Sequence, residues 1–382
     1  MLDKKIGILG GGQLGKMLCM AGSGMNLDIY VMDKQKDFPA GSVCAQFVEG
    51  DITEYSDVLN FGRTVDILTI EFEKINVAAL FDLEKEGRKV YPSPEIISMI
   101  QDKGIQKQFY KENHIPTSNF ILFKSKHEIL QSLKKGQLNF PFVQKARRDG
   151  YDGQGVLVCH DDKYVDLLFD TPSVIEELVS IEKEIAVIVC RNKRGHVSIY
   201  DPVEMVFNHE ANLLDYQISP AHIENSTFLE ATEMAYNIAN TLELVGILAI
   251  EMFLDKTGKL ILNEVAPRPH NSGHHTIESC YTSQYENHLR AILNLPLGKP
   301  DILAHSVLIN LLGSPGYSGE TVISGEDEIL RINGSNLHLY GKKNTKPFRK
   351  MGHVTLIHEK ERIPYESISR IKKSFSTAPL NI

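Results

Sequence analysis

Three features of this 382-residue chain predict an α/β fold that opens with a doubly wound parallel sheet. Apolar runs of strand length alternate with helical segments over residues 1 to about 98. The first run meets a glycine turn that opens a helix. Much later, the apolar runs 245–254 and 260–265 flank the turn Asp255-Lys256-Thr257-Gly258-Lys259, as a hairpin would.

Taken in order, Ile6-Gly7-Ile8-Leu9 reads as a strand, Gly10 to Gly15 as its turn and Lys16 to Ala21 as the helix. Leu27 to Met32 is a second strand ending at Asp33, and Val65 to Ile70 a third ending at Glu71-Phe72-Glu73. A polar helix over Asp102 to His114 stops before Ile115-Pro116, because proline disfavours a helical predecessor. Phe140 to Lys145 and Val156 to Cys159 predict a hairpin with a glycine-bearing tip. Ser173 to Val179 and Ile185 to Cys190 predict further strands, and a helix is expected around Phe228 to Leu242. From about 301 onward the pattern is short strands and loops around Gly341, Gly352 and Pro364.

Composition narrows the function. Hydrophobic residues make up 42% and charged residues 24%, enough for a substantial core. The net charge of −8 offers no bulk attraction to nucleic acid or anionic lipid, so an anionic substrate must be gripped by local groups. There is no apolar run of membrane-spanning length, and Met1-Leu2-Asp3-Lys4-Lys5 leads directly into a strand, so a cytoplasmic protein is expected. Cys19, Cys44, Cys159, Cys190 and Cys280 are odd in number and scattered, which predicts buried thiols rather than disulfides or a metal site.

Four constellations carry chemistry. Gly10-x-Gly12-x-x-Gly15 with Asp33 fits dinucleotide binding, yet the same backbone N–H groups suit any phosphorylated ligand, or a turn needed only for packing. Lys145 followed by Gly150-Tyr151-Asp152-Gly153-Gln154-Gly155 puts a cation at a strand end and a glycine lid after it, suited to nucleotide phosphates, although an exposed hairpin with a solvated lysine has the same pattern. Glu251 and Glu264 fall where two paired strands could set them face to face, as hard oxygen ligands for Mg²⁺ or as a solvated face. Ala266-Pro-Arg268-Pro-His270-Asn271-Ser-Gly-His274-His275 lacks helical zinc spacing, so anion recognition by Arg268 outranks transition-metal binding.

The order of these motifs, with Arg349-Lys350-Met-Gly-His353 after them, resembles the N5-carboxyaminoimidazole ribonucleotide synthetases, purine-pathway members of the ATP-grasp superfamily. The likeness runs from about Ile6 to His353. It implies four parts: a Rossmann-like N-terminal domain (1–102), a small ATP-grasp subdomain carrying the lid (103–180), a large one (181–300) and a small β-rich C-terminal domain (301–382). It also implies that Lys103, Lys145 and the lid from Gly150 to Val156 hold ATP phosphates. Glu176, Glu177, Leu178 and Val179 would recognise adenine and Glu184 the ribose, with His209 a further contact. Asn263 and Glu264 would meet ATP, and Glu251 and Glu264 the Mg²⁺. Arg268, His270, Asn271 and Lys350 would serve bicarbonate and its phosphorylated product. Gly12, Gln13, Leu14, Tyr151, Asp152, Lys342 and Arg349 would hold the aminoimidazole ribonucleotide. The family usually has arginine where Lys103 lies, so the phosphate grip there loses its fork. A homodimer is expected from the same likeness.

Three other readings stay open. A formate-dependent transformylase would share sheet, lid and metal acids. A nicotinamide-dependent oxidoreductase would use the first glycine turn, and a non-catalytic nucleotide sensor would bind without turnover.

Overall fold

The computed structural model describes residues 3–148, 150, 155–208, 213–358 and 364–379. The N-terminal sheet is five-stranded and parallel. Its order runs Gln46–Glu49, Ile29–Asp33, Ile6–Leu9, Ile67–Ile70, Lys89–Val90, with helices on both faces. The chain winds one way from Ile6–Leu9 and the other way from Ile67–Ile70, so the switch point lies between those two strands. Both the glycine turn and Glu71 to Glu73 emerge there, at the carboxyl ends where open α/β sheets leave a crevice.

A four-stranded antiparallel sheet follows, in the order Phe120–Phe123, Ser173–Glu177, Phe142–Ala146, Val156–Cys159. The expected strand to Val179 ends instead at Glu177, since its partners Phe120 and Phe142 are the last to pair with it. Leu178 and Val179 run on outside the ladder.

The third sheet is nine-stranded. Leu260–Ala266 and Gly246–Asp255 form its edge hairpin, followed by Ile181–Arg191, Val203–Asn208, Leu213–Ser219, His305–Leu312, Lys350–His358 and Ser335–Leu339, while Val197–Ile199 pairs beside Ile181–Arg191. The C-terminal region is therefore not merely short strands and loops: its two long strands extend the same sheet, joined through Tyr216 to Ser219 paired with Ile309 to Ser306.

Burial explains the cohesion. The helix Asn225–Thr241 lays Ala231, Ala235, Ile238 and Ala239 on the large sheet, against Val187, Val189, Leu248 and Ile250. The helix Lys103–Glu112 joins that core through fully buried Tyr110, so the segment leading to the small sheet is anchored on the large one. Four cysteines are buried as expected, whereas Cys44 is only half-buried. Among the described residues no helix is long and apolar enough to cross a membrane.

Candidate active site

Asp102 caps the helix Lys103–Glu112, accepting from the backbone N–H groups of Gly104 and Ile105 at 2.9 and 3.3 Å. The same carboxylate takes a two-pronged contact from Arg147, at 2.7 and 2.8 Å, and one from Arg148 at 3.3 Å. Burial alone would raise its pKa, but Arg147 and the backbone N–H groups of Gly104 and Ile105 together outweigh it and hold the carboxyl below its ordinary value. One buried acid thus ties the helix start to the residues just after the strand Phe142–Ala146.

From that helix Lys103 reaches across to the Glu264 carboxylate. One turn on, Lys107 is buried, with its ammonium 3.0 Å from Glu176, 2.7 Å from Thr117 Oγ1 and 3.0 Å from Ser118 Oγ. Burial pulls its pKa down to about 8 despite Glu176. Glu176 also receives Ser118 Oγ at 2.6 Å and stands 3.1 Å from Lys145, whose ammonium donates to Asn263 Oδ1 at 2.8 Å. Lys145 is therefore no solvated lysine. It bridges the small sheet to the large one.

Glu251 and Glu264 are direct cross-strand partners, beside a register shift in their hairpin. Lys103 holds Glu264 well below the usual carboxylate range, while burial and then the charge of Glu264 push Glu251 up. Two hard carboxylates side by side on paired strands, with the Glu251 carboxyl pushed up, fit a divalent ion. Among the described residues no group of three or more His, Cys, Asp or Glu could hold a metal alone. Mg²⁺ would fit a pair of carboxylates, since it keeps waters and takes phosphate oxygens as its other ligands.

The chain then turns into the run 266–275, where anion recognition is expected. His270 Nε2 lies 3.5 Å from Glu251, and its Nδ1 is 2.9 Å from Ser272 Oγ. Arg268 Nε pairs with Glu73 Oε1 at 2.8 Å, across the switch-point crevice. Asn271 is buried, and neither its side-chain oxygen nor its nitrogen has a partner among the described residues. A buried amide left so is expected to meet a ligand or water. His274 and His275 do not front this pocket as cations. Both are fully buried, and desolvation lowers their pKa, that of His275 to about 4.

Comparisons with known proteins accord with this arrangement. Residues 3–101 match the ribonucleotide synthetase preATP-grasp domain, 108–285 the ATP-grasp domain and 306–363 the phosphoribosylaminoimidazole carboxylase C-terminal domain. The chain is 36% identical to the N5-carboxyaminoimidazole ribonucleotide synthase of Bacillus subtilis, over 93% of this chain and 92% of that one. The chain belongs to the N5-carboxyaminoimidazole ribonucleotide synthase family. The N5-carboxyaminoimidazole ribonucleotide synthetase of Thermotoga maritima superposes with a TM-score of 0.89 at 41% identity, covering 98% of this chain and 99% of that one. The Aspergillus clavatus synthase in complex with ADP and 5-aminoimidazole ribonucleotide gives 0.87 at 29% identity, with 97% of each covered. The chain is also 38% identical to the chloroplastic phosphoribosylaminoimidazole carboxylase of Vigna aconitifolia, over 92% of this chain but 64% of that protein's length.

As a synthase of this family, the chain is an ATP-dependent ligase with the ATP-grasp fold. The oxidoreductase alternative also fails on local geometry. The backbone N–H groups of Gly12 and Gly15 that would cradle a pyrophosphate both donate to Glu71, Gly15 at 2.5 Å, and Gly11 donates to Asp33 at 2.7 Å. Gly10 makes this possible with φ 110°, a conformation side chains avoid, and an added Cβ at Gly12 would strike the Glu71 carboxylate. Of the expected trio, Leu14 points into the core and Gly12 has its N–H taken, leaving Gln13 half-exposed at the crevice.

The other expected residues fall as follows. Glu184 sits on Ile181–Arg191 with burial raising its carboxyl to about 7. Gly155 and Val156 lie at the start of the strand Val156–Cys159, Glu177 ends the strand Ser173–Glu177, and Gly150 is the one described residue between Arg148 and Gly155. Lys342 donates to the Lys350 carbonyl at 2.7 Å, and Arg349 donates to the Asn344 carbonyl at 2.6 Å. Tyr151, Asp152, Gly153, Gln154 and His209 lie outside the described residues. Sequence reasoning missed Lys107, Ser118, Glu71 and Glu73. The spacing of Lys107 four residues after Lys103, on one helix face, was the available signal for the first.

Proposed function

We propose that this chain carboxylates the amino group of 5-aminoimidazole ribonucleotide, using ATP and bicarbonate through carboxyphosphate, as a step of purine biosynthesis. The observation that carries the reading is the 3.5 Å approach of His270 to Glu251, itself paired with Glu264. It sets an anion pocket directly against the metal acids, which phosphoryl transfer from ATP to bicarbonate requires.

In this reading Lys103 and Lys145 meet the ATP phosphates while Asn263 and Glu264 orient them. Glu251 and Glu264 would hold Mg²⁺, which would supply positive charge to offset that of the triphosphate. Arg268, His270, Asn271 and Lys350 hold bicarbonate, and the fixed Arg268 charge stabilises the transferring phosphoryl group. Carboxyphosphate then collapses to carbon dioxide and phosphate beside the amine. Forming the N–C bond releases one amine proton. The lid from Gly150 to Val156 excludes water from both short-lived species, and enclosure raises the effective concentration of carbon dioxide. Lys342 and Arg349 grip the ribonucleotide together with Gln13, Tyr151 and Asp152.

The chain works in the cytoplasm in this reading, as a homodimer. Exposed Leu229 and Tyr236, two turns apart on Asn225–Thr241, are apolar surface of the kind that subunit interfaces cover. Light scattering checks the oligomeric state. The decisive assay follows phosphate release from ATP and expects it to need both bicarbonate and 5-aminoimidazole ribonucleotide. Turnover supported by formate in place of bicarbonate would instead identify a transformylase.

A further inference from the structure

Thr377 is fully buried although it lies beyond the last helix, Tyr365–Ser374. Every polar group it has is used. Its hydroxyl accepts from the Ser314 N–H at 2.9 Å and lies 3.2 Å from Thr345 Oγ1. Its N–H donates to Ser314 Oγ at 3.0 Å, and its carbonyl accepts from the Val322 N–H at 3.3 Å. Next to it, Ser376 and Ser324 exchange two backbone hydrogen bonds of 3.1 Å.

The two segments so grasped are those that hold Arg349. Gly313, beside Ser314, donates to the Arg349 carbonyl at 2.8 Å and accepts from the Phe348 N–H at 3.0 Å. Thr345 belongs to the short strand Asn344–Thr345, paired with Gly319–Glu320, and the Asn344 carbonyl accepts from Arg349 Nη1 at 2.6 Å. Phe348 itself has φ 63°, a left-handed conformation costly for an aromatic residue, which persists only where surrounding bonds over-determine it. The loop 342–349 has few apolar anchors of its own: within it only Thr345 is buried. Its shape is therefore set from outside, and the C-terminal segment is a large part of what sets it.

We propose that Thr377 is a positioning residue for the ribonucleotide site, acting through Ser314 and Thr345 to place Arg349. This rests on the reading of Arg349 as a ribonucleotide contact. The test compares Thr377→Val, which keeps the shape and removes the hydroxyl, with Thr377→Ser, which restores it, and with Arg349→Ala in parallel. Thr377→Val is expected to raise KM for 5-aminoimidazole ribonucleotide by about tenfold with KM for ATP within about twofold, and Thr377→Ser to return to near the parent value, as a loss of one to two buried hydrogen bonds implies. Ser314→Ala, which removes the acceptor of the Thr377 N–H, should shift the same constant in the same direction and serves if Thr377→Val proves unstable in a melting experiment. If Arg349→Ala raises the ribonucleotide constant while Thr377→Val and Ser314→Ala leave it unchanged, or if they raise both constants alike, the positioning role is overturned. If Arg349→Ala itself leaves the ribonucleotide constant unchanged, the error lies in the site reading instead.

Discussion

Lys103 and Glu264 form an ion pair that joins the first residue of a helix to the edge strand of the large sheet, at the point where ATP phosphates and metal would meet. The lysine end is mostly buried while the Glu264 carboxylate is partly exposed to solvent, and although burial opposes it, Glu264 together with Glu176 and Glu251 raises the Lys103 pKa and keeps it charged. A lysine offers this contact one ammonium in place of the planar fork of an arginine.

Replacing Lys103 with Met should lower ATP turnover by roughly 10- to 100-fold, since a charge-assisted contact of about 1.5–3 kcal/mol is lost and Glu264 is left unbalanced. Lys103→Arg should keep turnover and lower KM for ATP. Steady-state kinetics at saturating Mg²⁺ decide the matter. A Met variant with the parent rate would mean that Lys103 only neutralises Glu264 and touches no phosphate.

Lys107 and Glu176 give a prediction about stability. Removing one partner of a buried pair strands the other, a change worth about 3–5 kcal/mol in general. Lys145 still faces Glu176, so Lys107→Met should fall at the low end of that range, read from denaturant unfolding of the ATP-free protein. Glu176→Gln added to Lys107→Met should recover part of the loss. Additive losses in the double variant would show that the two side chains do not stabilise one another.

Much of this was legible in the residue order. Glycine at 10, 12 and 15 punctuates a strand and a helix whose periods differ, and the hairpin 246–266 announces itself by two apolar runs around a five-residue turn. The facing of Glu251 and Glu264 follows from that hairpin. Other parts were hidden for physical reasons. The strand Lys350–His358 buries His353 and Thr355, polar residues that break the apolar pattern by which strands are recognised. Glu71 looked like a strand-end acid in the sequence, and only folding shows that it fills the cradle of the glycine turn. Lys107 reads as one more polar residue of a polar helix until the small sheet closes over it.

Glu184 gives a prediction about pH. Burial raises its carboxyl to about 7, against a weaker pull from Lys145. A ribose hydroxyl is held best by the ionised form, so affinity is full above that value and is lost as pH falls through it. KM for ATP should rise severalfold between pH 8 and pH 6 in the parent protein. In Glu184→Gln it should be high and flat over the same range. A parent profile as flat as that of the variant would remove Glu184 from the ribose site.

Arg268 faces two claims on its guanidinium. Its Nε pairs with Glu73 Oε1 at 2.8 Å, and its Nη1 donates to the Pro269 carbonyl at 3.1 Å, so it could serve only to pin its loop to the N-terminal sheet. Yet a guanidinium carries five N–H donors in one plane, so tethering the loop and meeting an anion beside His270 and Asn271 are not mutually exclusive. Glu73 then acts as the group that fixes the direction of the fork. On this view Arg268→Ala still binds ATP but loses most of the carboxylated product, by about 100-fold or more, because a preorganised charge at the transferring phosphoryl group is worth a few kcal/mol. The ATP that it does hydrolyse should give phosphate without product. Glu73→Gln keeps a hydrogen bond but not the charge, and should lower the product formed per ATP by a smaller factor while leaving KM for ATP unchanged. Measuring phosphate and carboxylated product in the same reaction separates the roles. If Arg268→Ala keeps the parent ratio of product to phosphate, its guanidinium is a tether, and the bicarbonate pocket must be sought around Lys350 and Asn271 instead.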